Sequence, residues 1–424
     1  MKQKWYYVLI IMVSFFVGML FQLGLSTQKE VEKMDVLEEM TKVIFDNFST
    51  ENPLDKTKLK IEALKTITQN LEDTYSTYMN KEEYQKFREE ASGKYYGVGF
   101  HVAVPTEKES KWIIDQVFED SPAFQAGIIR GDILLKIEDQ AIEKMSKEKI
   151  SSFLRGKSPQ TLKLEIHRPA DGSVKQYSIS KDEIEIRAIY HRMLTKEKGY
   201  ILLTQIIPGI EKEFELVLEN LKSQGMKTLI LDLRNNTGGE VSSANHIASF
   251  LLEEKMNEFL VFKNKMNGRR LAYKREKKQI FNGWINILVN EKTASAAEFL
   301  VDALKRTERA KVIGTKTFGK GVVQAVIENE STKTALRLTV AHYLLNNGEY
   351  MNKTGIKPDI EVEMESILME PFFTKESEYN EKIGKQNIAS ILMERYGESK
   401  AKEMLKQGDI QLKKAMEAEQ NKSK

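Results

Sequence analysis

Cysteine is absent from the 424 residues. Its absence excludes thiol nucleophiles, thiolate zinc sites and disulfides together. It suits a protein that works outside the cytoplasm and needs no redox partner. Histidine is scarce: only His101, His167, His191, His246 and His342 occur. No HExxH and no tight cluster of histidine with acids at metal-ligand spacing appears, so no metal site is expected. An excess of either charge is missing too. The 65 basic and 62 acidic residues leave a net +3, which gives no support for nucleic-acid binding. Long apolar runs are missing with one exception. No charge occurs between Lys4 and Lys29, and Tyr6–Leu25 has the length of a bilayer-crossing helix, about 20 residues. Lys2 and Lys4 precede it, an arrangement that keeps the N-terminus in the cytoplasm and exports the rest. The expectation is a single-pass cell-membrane protein with an extracytoplasmic body. The alternative is secretion after signal cleavage, for which Phe21–Ser26 (FQLGLS) offers no good small-x-small site.

What remains is an ordinary globular composition, 41% apolar and 30% charged, in a chain long enough for about two or three domains. From Lys29 to about Ala91 the pattern is helical and charged. Val36, Met40, Ile44 and Phe45 share one face of a first helix, and Leu59, Leu64, Ile67 and Leu71 mark a second after Pro53. Such an arm packs on itself or on a twin, and a homodimer is expected. Asp73–Met79 (DTYSTYM) reads as a turn. Near Gly93 the texture changes to short strands: Trp112–Val117, Ile133–Ile137, Thr161–His167 and Val174–Ile179, with an amphipathic helix at Lys147–Leu154. This segment resembles a PDZ domain, through Gly97-Val98-Gly99-Phe100 and the run SPAFQAGIIRGDILLKI (Ser121–Ile137). The resemblance implies that a peptide C-terminus adds as a strand, with its carboxylate on the amides of Gly97, Val98, Gly99 and Phe100. Glycine suits such a loop because amides must face an anion with no side chain in the way.

From Tyr190 strands and helices alternate, which implies a layered α/β domain. Strands are expected at Tyr200–Ile206, Thr228–Leu233, Phe259–Phe262, Trp284–Val289 and Lys311–Ile313. Helices are expected at Gly209–Leu221, Ser242–Leu252 and about Ala294–Lys305. Val322–Ile327 and Ala335–His342 read as a hairpin. After about Met369 the chain is Lys/Glu-rich and helical, with its last apolar cluster at Ile388, Ile391, Leu392 and Met393, and a disordered end at Glu417–Lys424. The expected divisions are a membrane anchor or signal at 1–28, a helical arm at 29–92, a PDZ domain at 93–182, a catalytic core at 183–369 and a charged helical tail at 370–424.

Ser295 opens the helix after Trp284–Val289. A serine there is ordinarily an N-cap. The free amides and positive end of the helix also stabilise an oxyanion, and Ala294, Ala296 and Ala297 leave room for a substrate backbone. Lys320 follows by 25 residues, between Gly319 and Gly321. To act as a base it must be neutral near pH 7, a fall of about 3 pKa units or on the order of 4 kcal/mol, which burial supplies. Phe318, Val322 and Val323 are the apolar neighbours expected to bury it, and Gln324 the residue to orient its amine. Gly314–Gly321 (GTKTFGKG) almost fits a phosphate-binding loop, but Gly321 stands where a magnesium-binding hydroxyl is needed. Arg234–Gly239 (RNNTGG) puts a glycine loop at the carboxyl edge of the sheet, where α/β proteins place sites.

Leu231–Gly239 (LDLRNNTGG), Val289–Glu298 (VNEKTASAAE), Gly314–Gln324 (GTKTFGKGVVQ) and Gly355–Asp359 (GIKPD) resemble the C-terminal processing peptidases, the tail-specific serine proteases of peptidase family S41. The likeness spans roughly Asp73 to Val362. It implies a multidomain α/β (α+β) protein: a layered protease core of the ClpP/crotonase kind, an inserted PDZ domain and helical N- and C-terminal arms. It implies a serine endopeptidase in which Ser295 is the nucleophile, Lys320 the base and Gln324 the lysine's support, with the amides of Gly239 and Ala296 as oxyanion hole. Substrates are extracytoplasmic proteins with free, apolar C-termini. Arg155, in Leu154-Arg155-Gly156, matches a position that couples PDZ occupancy to the active site. The chain departs from the family at Thr237, usually Pro, and at Lys292-Thr293, usually Gly-Ser. The alternative function is a catalytically silent PDZ scaffold that binds peptides.

Overall fold

The computed structural model describes residues 36–48, 54–103, 111–156, 161–345, 348–369 and 378–418. The expected membrane span at 6–25 lies outside these residues. Among the described residues no helix is long and apolar enough to cross a membrane. The chain divides into two compact units, 1–66 and 67–424. The first holds the helix Val36–Asn47 and the start of Lys56–Gln69. Of the expected stripe, Met40 and Ile44 are exposed, whereas Phe45 is half-buried with the Lys56 and Lys60 ammonium groups over its ring; Val43 and Phe48 are exposed beside them.

In the second unit, a five-strand antiparallel path carries the PDZ region: Phe100–Val102, Trp112–Val117, Ile133–Ile137, Thr161–Arg168 and Ser173–Ser180. Leu162, Leu164 and Ile166 alternate inward, as a strand with one buried face requires. They meet Ile150 and Leu154 of the helix Lys147–Leu154. Lys94–Gly97 leaves this sheet and pairs with Asp182–Glu185.

The α/β core is built on a six-stranded sheet ordered Ile189–Met193, Lys198–Leu203, Thr228–Asp232, Trp284–Val289, Ala310–Gly314 and Ile360–Glu361. Every pair is parallel except the first. Leu229 and Leu231 face the helices Ile210–Ser223, Val241–Leu251 and Ala296–Lys305. Ile230 faces the opposite side, where Leu412 and Ala415 of the helix Ile410–Glu417 cover it. Burial on both faces explains why Thr228–Asp232 reads as a continuous apolar run. The expected strand Tyr200–Ile206 is shorter, Lys198–Leu203; Ile206 instead forms an isolated bridge with Gly239. A second sheet pairs the hairpin Val322–Asn329 and Thr334–Leu344 with Glu258–Lys263, Arg270–Lys274 and the short strand Thr77–Met79.

The C-terminal segment is helical and packed. Glu378–Tyr396 and Glu398–Gln407 pack on the PDZ sheet through Ile388, Ile391 and Leu392 against Ile113 and Ile133. Asn387, fully buried, donates to Asp132 Oδ1 at 3.0 Å and accepts from the Ala170 amide at 2.8 Å. The last apolar cluster is therefore not at Ile388–Met393: Leu412 and Ala415 follow it, and the final described helix includes Glu417. Residues 419–424 of the expected disordered end lie outside the described residues.

Candidate active site

Ser295 joins the turn after Trp284–Val289 to the buried helix Ala296–Lys305 with φ 57° and ψ −124°. This is not how the two serines that cap other helices stand. Ser121 and Ser146 have φ −76° and −70° with ψ near 160°, the extended backbone an N-cap takes. A non-glycine residue at positive φ costs on the order of 1–3 kcal/mol and persists only where its surroundings over-determine it. Here they do. The Thr293 hydroxyl donates to Leu233 O at 2.8 Å, the Ala294 amide to Asn236 O at 2.9 Å, and the Ser295 amide to Glu298 Oε2 at 2.9 Å. The sharp strand-to-helix turn is the geometry that presents a nucleophilic hydroxyl.

The Gly-Gly loop lies against this turn. At Gly238, φ is +94°, and a Cβ would fall 2.8 Å from both Ser295 Cβ and Ala296 N. Any side chain would collide with the Ser295 turn. Asn236, fully buried, holds the loop by donating to Leu203 O at 2.7 Å and accepting the Gly238 amide at 2.8 Å. Gly238 O and Glu240 N both pair with Ile206. Among the described residues, the amides of Gly239 and Ala296 donate to no acceptor. They are the two proposed for the oxyanion.

Lys320 reaches the same place from the hairpin side. Its amide and that of Ser295 both donate to Glu298 Oε2, at 2.8 and 2.9 Å, while Gly319 N and Thr317 Oγ1 donate to Oε1 at 2.7 and 2.5 Å. Glu298 is fully buried. Burial pushes its carboxyl up, opposed by those four hydrogen bonds. Sequence reasoning missed Glu298 as a site residue, although Ser295-x-x-Glu298 has capping-box spacing. The amides of Gly319 and Lys320 are spent on this carboxylate, which leaves the phosphate-loop reading without its donors.

The Lys320 ammonium stands over the Tyr75 ring, 4.8 Å from its centroid. Burial, then the neighbouring Arg337 charge, lowers the lysine's pKa, while Asp73 and Glu298 raise it. No hydrogen bond joins Lys320 Nζ to Ser295 Oγ. Two sequence expectations fail locally. Gln324 does not touch the lysine amine; its amide donates to Thr339 Oγ1 at 3.0 Å. Phe318 does not bury the lysine, being 59% exposed, whereas Val322 is buried. The Phe318 amide donates to Thr293 O at 3.0 Å.

In the PDZ region the Gly97–Phe100 loop is not wholly free. The Val98 amide donates to Leu154 O at 3.2 Å, and Gly97 bridges Arg155. Gly99 is required: at φ +93° its Cβ would sit 2.1 Å from Ser121 Cβ. Phe100 is buried in the domain core. The Arg155 guanidinium lies over the Tyr95 ring at 4.6 Å, so it is not a solvated helix-end charge. Burial pushes the Tyr95 hydroxyl up to about 12.

A family model for peptidase family S41 matches residues 197–362, and one for the PDZ domain matches residues 113–168. The carboxy-terminal processing protease CtpA of Bacillus subtilis (strain 168) is 33% identical over 325 residues, 77% of this chain and 68% of that relative. A probable CtpA-like serine protease of Staphylococcus aureus (strain COL) is 30% identical over 309 residues, 73% of this chain but 61% of its own length. Among solved structures, the photosystem II D1 C-terminal processing protease superposes with a TM-score of 0.53 at 23% identity, covering 77% of this chain and 86% of that one, a likeness of fold. With sequence motifs, relatives and fold in agreement, the chain belongs to peptidase family S41 as a carboxy-terminal processing protease that carries a PDZ domain.

Proposed function

We propose that the protein cleaves extracytoplasmic protein substrates with a Ser295–Lys320 dyad, after its PDZ domain has captured their free, apolar C-termini. The observation that carries this is the single Glu298 carboxylate, which fixes the backbone of both residues at one point. Ser295 Oγ attacks the scissile carbonyl carbon as Lys320 takes its proton. The oxyanion that forms meets the free amides of Gly239 and Ala296. The C–N bond breaks, Lys320 returns the proton to the departing amine, and a water activated by the same lysine resolves the acyl-enzyme. Gln324 steadies the lysine after exchanging its bond to Thr339.

Peptide capture requires the Val98 amide to leave Leu154 O, which also frees the Gly97–Arg155 bridge. Arg155 is thereby placed to report occupancy to the core. The N-terminal segment 6–25 anchors the protein in the membrane. The exposed apolar stripe of Met40, Val43, Ile44 and Phe48 supports a homodimer formed through the helical arm.

The test follows a disordered protein with an apolar C-terminus by mass spectrometry, incubated with the full chain. Ser295→Ala and Lys320→Ala should each abolish cleavage, and wild-type rates in either would overturn the dyad. Arg155→Ala should lower cleavage while C-terminal peptide binding persists.

A further inference from the structure

The contact between Lys320 and Tyr75 brings two distant parts of the chain together. Tyr75 belongs to the turn before Thr77–Met79, far upstream of residues 197–362, which the peptidase family model matches. The polar groups around it are spent on holding it still. The Tyr75 amide donates to Asp73 Oδ1 at 3.2 Å, and the Ser76 hydroxyl to Asp73 Oδ2 at 2.5 Å. The Thr339 amide donates to Ser76 Oγ and Arg337 Nε to Tyr75 O, each at 2.9 Å. Thr77 is in register with Arg337. The turn is thus bolted to the strand Thr334–Leu344, and its ring is presented to the lysine as a fixed face.

A ring face attracts an ammonium and has nothing to offer a neutral amine. A base needs the neutral amine. The ring therefore works against the role that burial prepares. The charged groups that face Lys320 are divided in the same way: Arg337 disfavours the ammonium, while Asp73 and Glu298 favour it. The Tyr75 hydroxyl, raised by burial and by Asp73 and Glu298, stays protonated. The ring consequently remains a neutral quadrupole across the working range.

We propose that Tyr75 is a positioning residue that parks Lys320 as an ammonium over its ring, away from Ser295, and that the base becomes available only when this contact is given up. The proposal rests on the Ser295–Lys320 reading. It assigns to the DTYSTYM turn the task of holding the resting enzyme in check.

Replacing Tyr75 by leucine keeps an apolar cover over the amine and removes the quadrupole. In Tyr75→Leu, the acid limb of the pH profile of kcat/KM should move to lower pH by about 0.5–1.5 units. Competitive acetylation of the full chain with acetic anhydride reads the same lysine without turnover, because only the neutral amine reacts. The labelling midpoint of Lys320, followed by mass spectrometry of its peptide, should move by the same amount. Tyr75→Phe keeps the ring and should leave both midpoints in place. Tyr75→Met carries the same expectation as leucine should Tyr75→Leu fail to fold. An unmoved or alkaline-shifted midpoint in the aliphatic variant overturns the proposal, as does Tyr75→Phe moving as far as leucine. Retained cleavage in Lys320→Ala would instead remove the dyad, and the labelling midpoints would still report whether the ring holds the lysine.

Discussion

Ser295 and Lys320 are joined through one atom: the amides of both residues donate to Oε2 of Glu298. The partners of the proposed dyad are thus held through their backbones, with no hydrogen bond between their side chains. In Glu298→Gln an amide NH2 must face N–H or O–H donors whichever way it is turned. Leaving buried donors unmatched costs on the order of 1–3 kcal/mol each. We expect kcat/KM to fall by roughly 10–100-fold by that figure, with C-terminal peptide binding to the PDZ domain unchanged. Steady-state cleavage and fluorescence anisotropy on the same preparation check this; wild-type cleavage by the glutamine variant would show that the shared carboxylate is dispensable.

Gly238→Ala should inactivate without unfolding. Its methyl group would fall 2.7 Å from Ala294 O and 2.8 Å from Ser295 Cβ and Ala296 N, so the Ser295 turn must move. A thermal melt close to wild type, with cleavage lost, is the expected pair of results. Full activity in this variant would mean that the loop does not lie against the nucleophile in the working enzyme.

The depressed pKa of Lys320 has a consequence for stability. Its unfolded form holds a proton up to about pH 10.4, whereas the folded form releases it earlier. Between the two values the unfolded state binds more protons, so stability rises with pH across that window. In Lys320→Met this contribution is absent. Urea titrations should therefore show the wild type gaining on the methionine variant as pH climbs toward about 10.4, and a gap that is constant or closes the other way would contradict a depressed lysine.

Arg234 is the largest fully buried side chain. Its guanidinium contacts Asp232 and takes both oxygens of Asp409 at 2.9 Å, with Gln411 completing the set at 3.2 Å. The two carboxylates hold its pKa well above the ordinary arginine value in spite of burial. Arg234→Met strands both acids and should cost about 3–5 kcal/mol. Arg234→Lys should not rescue it, because a point charge cannot serve both acids as the planar fork does. Urea denaturation measures both variants, and a loss under about 1 kcal/mol, as for an exposed pair, would show the network to be solvated.

The order of strands and helices in the core was legible because its parallel strands carry short apolar runs and its helices one apolar stripe. Arg270–Lys274 was not, since an edge strand needs no apolar pattern and here reads RLAYK. Ser295 and Lys320 could be picked out by their spacing and flanking glycines. The partners that fix them could not. Tyr75 meets Arg337 across 262 residues, and Arg234 meets Asp409 across 175; no local periodicity encodes such pairings. Gln324 lies in the expected place in the chain, but the strand register shifts between Val323 and Gln324, and its amide meets Thr339 instead. Phe318 shows the limit of hydrophobicity as a guide, since an apolar residue beside a lysine is no proof of a dry pocket. Leu412 and Ala415 were too few to announce that the C-terminal helix covers a sheet.

The bond between Arg234 and Asp409 also sets a sequence of events in time. The glycine loop that follows Arg234 is braced by a residue made 175 positions later. While the ribosome is still building the intervening chain, that arginine has no second acid to close on. The brace on the glycine loop consequently closes only once Asp409 has been made.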